Sequence, residues 1–302
     1  DLSNSDNTNA FLKKSKAFSK GDFSGAFLQA GVSELTMAAI CNGLALHGGV
    51  IPACATFFVF SDFMKPAVRL TALQQLPVKF IWTHDAFRVG EDGPTHQPVE
   101  QEAQIRLMEK LKNHSGNNSM LVLRPADAQE TTVAWKMAME NTTTPTALIL
   151  SRQTIQDLPA TGSSRYNDAQ QAEKGAYIVK ECDGTPHIIL LGNGSEVSTL
   201  YAAAVQLEQK GKKVRVVAAI SEGLFRNQDK SYQQSILPPD VPVLGLTAGL
   251  PCTLQELSGP KGKVIGLDHF GYSAPAAVLD EKLGYIPENV VREAEAFLKE
   301  IS

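Results

Sequence analysis

The sequence predicts an α/β protein built from two doubly wound, mostly parallel, three-layer domains. Strand-like apolar runs alternate with helix-like stretches, which is typical of a parallel sheet covered on both faces. The length of 302 residues suits about two domains. A Pro/Thr/Gly/Ser-rich stretch, roughly residues 157–165, interrupts the alternation. We therefore place the first domain at residues 1–160 and the second at residues 166–302.

The first domain opens in polar sequence and then alternates between strand and helix patterns. Ser33 could cap a first helix, Gly48 would end it, and Asp127 with Glu130 resembles a capping box. The predicted elements, in order, are a strand at 25–30, a helix at 34–47, a strand region at 51–60, a helix at 63–73, strands at 78–82 and 119–123, a helix at 127–141 and a strand at 146–150. A doubly wound domain normally begins with a strand, so this one is expected to lack its opening strand, as a fragment would.

The second domain restarts the same alternation. Its predicted elements, in order, are a strand at 187–191, a tight turn at 192–195, a helix at 196–210, strands at 214–219, 241–246 and 263–267, and a final helix at 287–300. The turn fails the G-x-G-x-x-G pattern of dinucleotide sites, so we interpret it as the start of a helix. No catalytic cluster stands out in this domain, and its predicted function is assembly.

Composition excludes several classes of protein. The chain is 43% hydrophobic and 20% charged with a formal charge of −4, which gives no basic surface for nucleic acid or an anionic membrane. No apolar run approaches the roughly 18–20 residues that span a bilayer, and no signal-peptide pattern is present. The four scattered cysteines lack C-x-x-C spacing. We expect buried free thiols in a reducing compartment, the cytoplasm.

The most distinctive stretch follows the apolar run at 78–82. Thr83, His84 and Asp85 come first, and residues 90–98 then read Gly-Glu-Asp-Gly-Pro-Thr-His-Gln-Pro. A polar loop punctuated by Gly and Pro after a strand is where open α/β sheets place ligand chemistry. Asp-Gly and Gly-Pro are also ordinary turn dipeptides, so residues alone leave a solvated turn as an equal alternative.

Seven short segments together resemble the transketolase family, which uses thiamine diphosphate to move two-carbon ketol units between sugar phosphates. They occur in the family's order and spacing at residues 31–34, 56–60, 67–70, 83–85, 90–98, 124–127 and 150–153. The resemblance covers essentially the whole chain and corresponds to the C-terminal half of a transketolase, the pyrimidine-binding domain followed by the C-terminal domain. The run at 90–98 is highly specific within the superfamily.

The resemblance implies residues for the cofactor's pyrimidine ring. Glu34 matches the glutamate that bonds N1′ of the pyrimidine and so makes the cofactor's 4′-amino group basic. Burial at a helix start would raise the pKa of such a carboxyl. Without the resemblance, Glu34 reads as an ordinary first-turn glutamate favoured by the helix dipole. Phe57, Phe60 and Phe63 match the aromatic residues around the pyrimidine; such a stripe is otherwise usually core.

The resemblance also implies residues for the sugar phosphate. His84, Asp92 and His96 match family residues that bond the ketose hydroxyls and assist proton transfer. Arg152 matches an arginine that grips the phosphate, a role that suits its fork of donors. Ser5 matches a serine at the same phosphate, and His84 also belongs to that end.

The family's diphosphate and metal site has no counterpart in the sequence. The Gly-Asp-Gly motif is absent, so Mg²⁺ or Ca²⁺ and the diphosphate are expected to be held by an N-terminal half, and this chain is expected to hold no metal and to be inactive alone. The implied partners are that half, a second copy in a homodimer, and sugar phosphates of the pentose phosphate pathway. A C-terminal fragment and a natural split subunit both fit, and the missing strand favours the fragment.

Two other functions stay open at this point. A related thiamine-diphosphate enzyme, dihydroxyacetone synthase or deoxyxylulose-phosphate synthase, would use another acceptor. A non-catalytic assembly module would transfer no group to any acceptor. The segment at 108–120 is longer than its family counterpart, and we expect a surface elaboration with His114 exposed.

Overall fold

A computed structural model describes residues 14–301 and contains two sheets. The first is a four-stranded parallel sheet in the order β1-β2-β4-β3. Its elements, in chain order, are α1 (Glu34–His47), β1 (Ala53–Phe57), α2 (Ser61–Leu73), β2 (Lys79–Thr83), α3 (Gln101–Lys110), β3 (Leu121–Leu123), α4 (Ala128–Glu140) and β4 (Thr146–Ile149). The 3₁₀ turns Phe58–Phe60 and Phe87–Asp92 follow β1 and β2.

The second sheet has five strands in the order β5-β7-β6-β8-β9, all parallel except β5, which pairs antiparallel with β7. Its elements begin with α5 (Arg165–Ala169) and the 3₁₀ turn Gln170–Lys174. They continue with β5 (Tyr177–Lys180), β6 (Ile188–Gly192), α6 (Glu196–Gln209), β7 (Val214–Ala218), α7 (Glu222–Arg226), α8 (Lys230–Ile236), β8 (Val243–Leu246), α9 (Cys252–Ser258), β9 (Lys263–Ile265), α10 (Ala276–Leu283) and α11 (Pro287–Glu300).

Both sheets are covered on both faces, as the fold class predicted. Successive strand residues point to opposite faces, so on β4 Ala147 and Ile149 join the core under α1 and α2, whereas Leu148 faces the other way. On β6, Leu190 and Leu191 are divided in the same manner. The core that contains Leu148 also contains Leu190 and continues from one sheet to the other. The two units therefore share one apolar core.

Several helix ends follow local sequence signals. Gly48 ends α1 with a positive φ, and its amide donates to the carbonyl of Leu44. The side chain of Asp127 caps α4 by accepting from the amide of Glu130, as predicted. Ser33, by contrast, makes no side-chain capping bond. The helix of residues 34–47 is confirmed, and the capping role of Ser33 is wrong.

Other expectations need correction. Residues 25–30 do not form a strand; only Phe27 is buried, and it makes one bridge to Ala17. Among residues 14–52 no strand joins the first sheet. In the segment 108–120, α3 extends to Lys110 and Met120 is fully buried, so only its middle is a surface elaboration, with His114 exposed as expected.

The cysteines are free, as expected, but not all are buried. Cys41 and Cys54 are buried, Cys182 is half-buried and Cys252 is exposed at the start of α9. None of the helices within residues 14–301 is both long and apolar enough to cross a bilayer. The domain limits at residues 160 and 166 lie between the two sheets and stay a prediction.

Candidate active site

The candidate site lies beyond the carboxyl ends of two neighbouring strands. β1 ends at Phe57 and β2 ends at Thr83, and these two residues are paired in the parallel register. In open α/β sheets, ligands bind outside this edge because the loops there diverge. The loop after β2 carries the stretch 84–98, the turn after β1 carries Phe60, and the first turn of α2 carries Phe63.

A cluster of rings occupies this edge. His84 stacks on Phe57 with centroids 3.4 Å apart and planes inclined by 18°. Phe60 stacks beside Phe57 at 5.9 Å, and Phe63 follows at 6.1 Å from Phe60. His96 meets the ring of Phe60 edge-on at 5.3 Å. The structure thus brings together five of the residues that the sequence singled out.

The aromatic run at 57–63 separates into two classes of side chain. Phe57 and Phe60 are half-buried and Phe63 is 62% exposed, so these three rings offer surface to a ligand. Phe58 is fully buried and stacks on Trp82 at 5.6 Å. The spacing of i, i+3 and i+6 therefore marks the accessible rings, and the intervening phenylalanine belongs to the core.

His84 has an unusual backbone and an unusual charge state. Its φ of +61° lies in the left-handed region, which side chains other than glycine rarely adopt. Burial lowers the pKa of His84 to about 4, the positive charge of Arg152 adds to this, and Asp92 opposes it. The imidazole is therefore neutral near pH 7. Arg152 and Asp92 therefore lie within electrostatic range of the ring cluster.

Both site histidines are preceded by a threonine that engages the same ring nitrogen. The Thr83 hydroxyl lies 2.9 Å from Nδ1 of His84, and the Thr95 hydroxyl lies 2.8 Å from Nδ1 of His96. The Nε2 atom of each ring is then the nitrogen that can meet a ligand. A Thr-His pair at each position could have been noticed in the sequence.

The loop 90–98 turns sharply twice, at Gly90 (φ +86°) and Gly93 (φ +78°). Asp92 is exposed between these glycines, and Arg152 is exposed after β4. Exposed groups of opposite charge near a neutral imidazole suit a polar, ionised ligand. Ser5 lies outside the described residues.

Glu34 lies apart from the ring cluster, in the first turn of α1 and 8% exposed. The helix packs against β1 and α2, the elements that flank Phe57 and Phe60. Leu35 beside it is 48% exposed. Glu34 therefore lies on a helix that contacts the strand and the helix of the ring cluster.

The second unit fastens the loop that carries Asp92 and His96. The amide of Gln97 donates to the carbonyls of Gly90 and Tyr272, both at 2.9 Å. The hydroxyl of Ser273 donates to the carbonyl of Glu91 at 2.5 Å. A Cβ on Gly271 would lie 1.7 Å from the Gln97 oxygen, so any other residue there would displace the Gln97 side chain. The site loop is therefore held from both units.

A chain of buried charges behind His84 was missed by the sequence reasoning. Arg124 donates to Asp85 Oδ2 through Nη2 at 2.7 Å and pairs through Nη1 with Glu196. Arg88 donates to Glu196 Oε1 and to Asp280, both at 2.7 Å. The arginines and Asp85 come from the first unit, and the other two carboxylates from the second.

The two arginines of this network fix the charge of Glu196. Burial alone would raise the pKa of the Glu196 carboxyl, but the positive charges of Arg124 and Arg88 outweigh it and hold the pKa below its usual range. Burial raises the pKa of Asp85, and Arg124 opposes that rise. In the sequence, Asp85 and Arg124 are charged residues that closely follow apolar strands, and this position was a usable signal for both. Nothing local predicted their partner in the second unit.

The residues present fit one end of a thiamine cofactor. Three accessible rings offer stacking surface, the Thr56 hydroxyl is buried without a partner, and Glu34 supplies a buried carboxyl. This donor set suits an aminopyrimidine, which is flat and carries polar nitrogens. Within residues 14–301, no group of three or more His, Cys, Asp or Glu side chains could hold a metal ion.

The fold and the ring-lined edge define an α/β protein of two sheets with a candidate ligand site at the carboxyl ends of its parallel strands. Family models identify it further: that of the transketolase pyrimidine-binding domain matches residues 1–157, and that of the transketolase-like C-terminal domain matches residues 175–286. The chain belongs to the transketolase family.

Individual relatives agree with this assignment. A transketolase of Staphylococcus epidermidis is 41% identical over 297 residues, which cover 98% of this chain and 43% of the relative. The solved transketolase from Leishmania mexicana is 38% identical with a TM-score of 0.84 and covers 95% of this chain and 40% of that one. A split-gene transketolase, solved as an inactive tetramer of four beta chains, shares the fold at 24% identity and a TM-score of 0.75. The match covers 99% of this chain and 90% of that one. The chain spans less than half the length of the full relatives.

Proposed function

We propose that this chain supplies the pyrimidine and substrate side of a transketolase active site. The reaction is the thiamine-diphosphate-dependent transfer of a two-carbon ketol unit from a ketose phosphate to an aldose phosphate, in the pentose phosphate pathway. The observation that carries the proposal is the stack of His84 on Phe57. It joins the ring surface suited to the cofactor to the imidazoles and charges suited to a sugar phosphate.

The cofactor's pyrimidine is held by Phe57, Phe60 and Phe63, with Glu34 bonded to a ring nitrogen. The rings of Phe60 and Phe63 stack on each other at a distance that aromatic pairs prefer. A flat heterocycle can stack on the faces that remain accessible. When bound, thiamine diphosphate supplies a nucleophilic carbon that allows cleavage of the bond beside the ketose carbonyl. Glu34 acts on the cofactor by holding a proton at the pyrimidine nitrogen.

The substrate's hydroxyl groups meet His84, His96 and Asp92. A neutral His84 can donate or accept a hydrogen bond through Nε2, because Thr83 engages Nδ1. His96 has the same arrangement with Thr95. The two imidazoles bind the sugar and move protons between its oxygens, while Asp92 accepts from a hydroxyl.

Arg152 binds the phosphate of the sugar. Its positive charge acts on His84 already in the free protein, so the phosphate end and the imidazole are neighbours. Ser5 is proposed as a further donor to the phosphate on the basis of the family pattern alone. His84 then lies between the phosphate and the carbon chain.

The diphosphate and its Mg²⁺ or Ca²⁺ are held by the region that the full relatives carry beyond the matched length, and the complete enzyme is a homodimer in the cytoplasm. Support comes from apolar side chains exposed on and around α1 and α2, which a partner surface would cover. These residues are Val32, Leu35, Ile40, Leu44, Leu46, Val50, Ile51, Phe63, Leu70 and Leu73. Domains at 1–160 and 166–302 complete the proposal.

The test uses this chain assembled with a transketolase diphosphate-binding region, thiamine diphosphate and Mg²⁺. Glu34→Gln should lower ketol transfer by about 10²–10⁴-fold, the usual range for losing a proton-transfer group. The control Glu288→Gln changes another first-turn glutamate, on α11, and should leave the rate unchanged. Near-normal turnover of Glu34→Gln would contradict its role. Calorimetry should show tight cofactor binding only in the assembly, and tight binding by this chain alone would overturn the assignment of the diphosphate end.

A further inference from the structure

The turn 192–195 is built around an arginine of the other domain. A Cβ on Gly194 would lie 2.6 Å from Cζ of Arg124, and Gly194 has a φ of +55°. The Gly194 amide donates to the Arg124 carbonyl at 3.1 Å. Two independent features therefore require glycine where this turn passes over the guanidinium group.

Arg124 is shared between the two domains. Its Nε and Nη2 donate to Asp85 Oδ2 at 3.1 and 2.7 Å. Its Nη1 donates to Asn193 Oδ1 at 2.6 Å and to Glu196. The Nε and Nη2 edge of the guanidinium group thus binds Asp85, the residue after His84. The Nη1 atom binds Asn193 and Glu196 of the second domain.

Glu196 has little freedom to follow a movement of Arg124. Its second carboxylate oxygen accepts from Arg88 at 2.7 Å and from Ser195 at 3.0 Å. The side chain is fully buried. A carboxylate with both oxygens occupied in a buried site acts as a fixed point.

The element that needs such a fixed point is the backbone at His84. A residue other than glycine with a positive φ persists only where its surroundings over-determine the conformation. On one side the His84 ring rests on Phe57, and on the other Asp85 is bound to Arg124. Releasing Asp85 would leave only the ring stack and the Thr83 hydroxyl to hold this conformation.

We propose that Glu196 is a positioning residue for the ketol-transfer site: through Arg124 and Asp85 it holds His84 on the ring of Phe57. The inference rests on the proposed function for its catalytic meaning, but its structural content does not. Through these contacts the second domain acts on the site, in addition to the assembly function expected from the sequence.

The first test reads His84 in this chain without cofactor. Selective ¹³C labelling of its six histidines gives NMR signals that His84→Gln assigns. In Glu196→Gln the His84 ring should leave Phe57, so its ring-current shift should fall. Its titration midpoint should also rise from about 4 toward the ordinary value of 6.5. Asn193→Ala, which removes a neutral acceptor from Arg124 and a donor to Glu102, should move both readings in the same direction by less.

The matched control is Tyr177→Phe. It removes a buried bond between the domains, from the Tyr177 hydroxyl to Glu130 at 2.5 Å, without contact to Asp85 or Arg124. Its His84 signal should match that of the wild type. An unchanged His84 signal in folded Glu196→Gln and Asn193→Ala would overturn the proposal. If circular dichroism shows that Glu196→Gln is unfolded, Asn193→Ala decides.

The second test uses the assembled enzyme. Loss of positioning should lower kcat/KM by about 10–10²-fold with a higher KM for the ketose phosphate, because the His84 ring no longer meets the sugar. A purely structural role would lower the apparent kcat and leave KM unchanged, and that result would overturn the proposal. If the wild-type assembly transfers no ketol group, the proposed function fails, while the NMR result still decides the positioning of His84.

Discussion

His84 lies flat on Phe57, with the two ring centroids 3.4 Å apart. Phe57 is the last residue of β1, and His84 directly follows the neighbouring parallel strand β2. The contact removes water from one face of the imidazole, which favours its neutral form. An ordinary solvent-exposed histidine is half protonated near pH 6.5. This one is available as a neutral donor and acceptor over the whole physiological range.

The stability of the fold should depend on His84 below neutral pH. The pKa of His84 is about 4 in the folded chain and about 6.5 when unfolded. Between these values the unfolded chain binds more protons, so the contribution is fully present above pH 6.5 and is lost as pH falls to 4. After allowance for partial exposure, about 1–2 kcal/mol is expected. Urea unfolding at pH 7.0 and 4.5 should show a smaller pH dependence in His84→Gln, and equal dependences would contradict the assignment.

Phosphate binding should be visible in the titration of His84. The charge of Arg152 lowers the pKa of His84, so a phosphate monoester bound to Arg152 should raise that pKa by cancelling the charge. Arg152→Gln should raise it without ligand and abolish the response to a sugar phosphate. Arg69→Gln, a change at an exposed arginine on α2, serves as the control in an NMR titration. A response that survives in Arg152→Gln would place the phosphate elsewhere.

Phe63 should contribute to cofactor binding and little to folding. Its ring is 62% exposed and Leu107 is 61% exposed, so alanine at either position should change the free energy of unfolding by less than about 0.5 kcal/mol. In the assembled enzyme, Phe63→Ala should weaken thiamine diphosphate binding by roughly 10-fold through loss of stacking. Calorimetry measures the affinity and urea unfolding the stability. Equal affinities in the two variants would remove Phe63 from the cofactor surface.

The four thiols should react in two classes. Cys252 is exposed and Cys182 half-buried, whereas Cys41 and Cys54 are buried. The contact with Cys41 and burial raise the pKa of the Cys54 thiol well above its usual range, which further lowers its reactivity. A colourimetric thiol reagent should modify two groups in the native chain and the remaining two only in denaturant. Cys252→Ser should remove the faster native phase.

The sequence predicted elements best where a local signal and an apolar pattern agree. The helices α1 and α11 have the predicted limits, with Gly48 after one and Pro287 at the start of the other. The strand expected at 25–30 is wrong: within residues 14–301, Phe27 makes one bridge to Ala17 and no strand extends from it. β5, the antiparallel edge strand of the second sheet, was missed.

The same limit applies to the candidate site. Single motifs contained the ring cluster, so its members could be named before the fold was known. The pairing of Arg124 with Glu196 joins residues 72 positions apart, and nothing local to Arg124 indicates Glu196 as its partner. Such a pair is specified only when both domains are folded against each other. The pairing itself therefore has no signature in the linear sequence.

The bonds from Gln97 to the second domain have a practical consequence for protein engineering. Because the Tyr272 carbonyl and the close approach of Gly271 fix this amide, the two domains are not interchangeable modules. A chimera that joins the first domain of this chain to the second domain of another transketolase must bring a glycine and a free carbonyl to the same place. Grafting at the linker without that match would give a folded hybrid whose ligand loop has lost one of its two anchors.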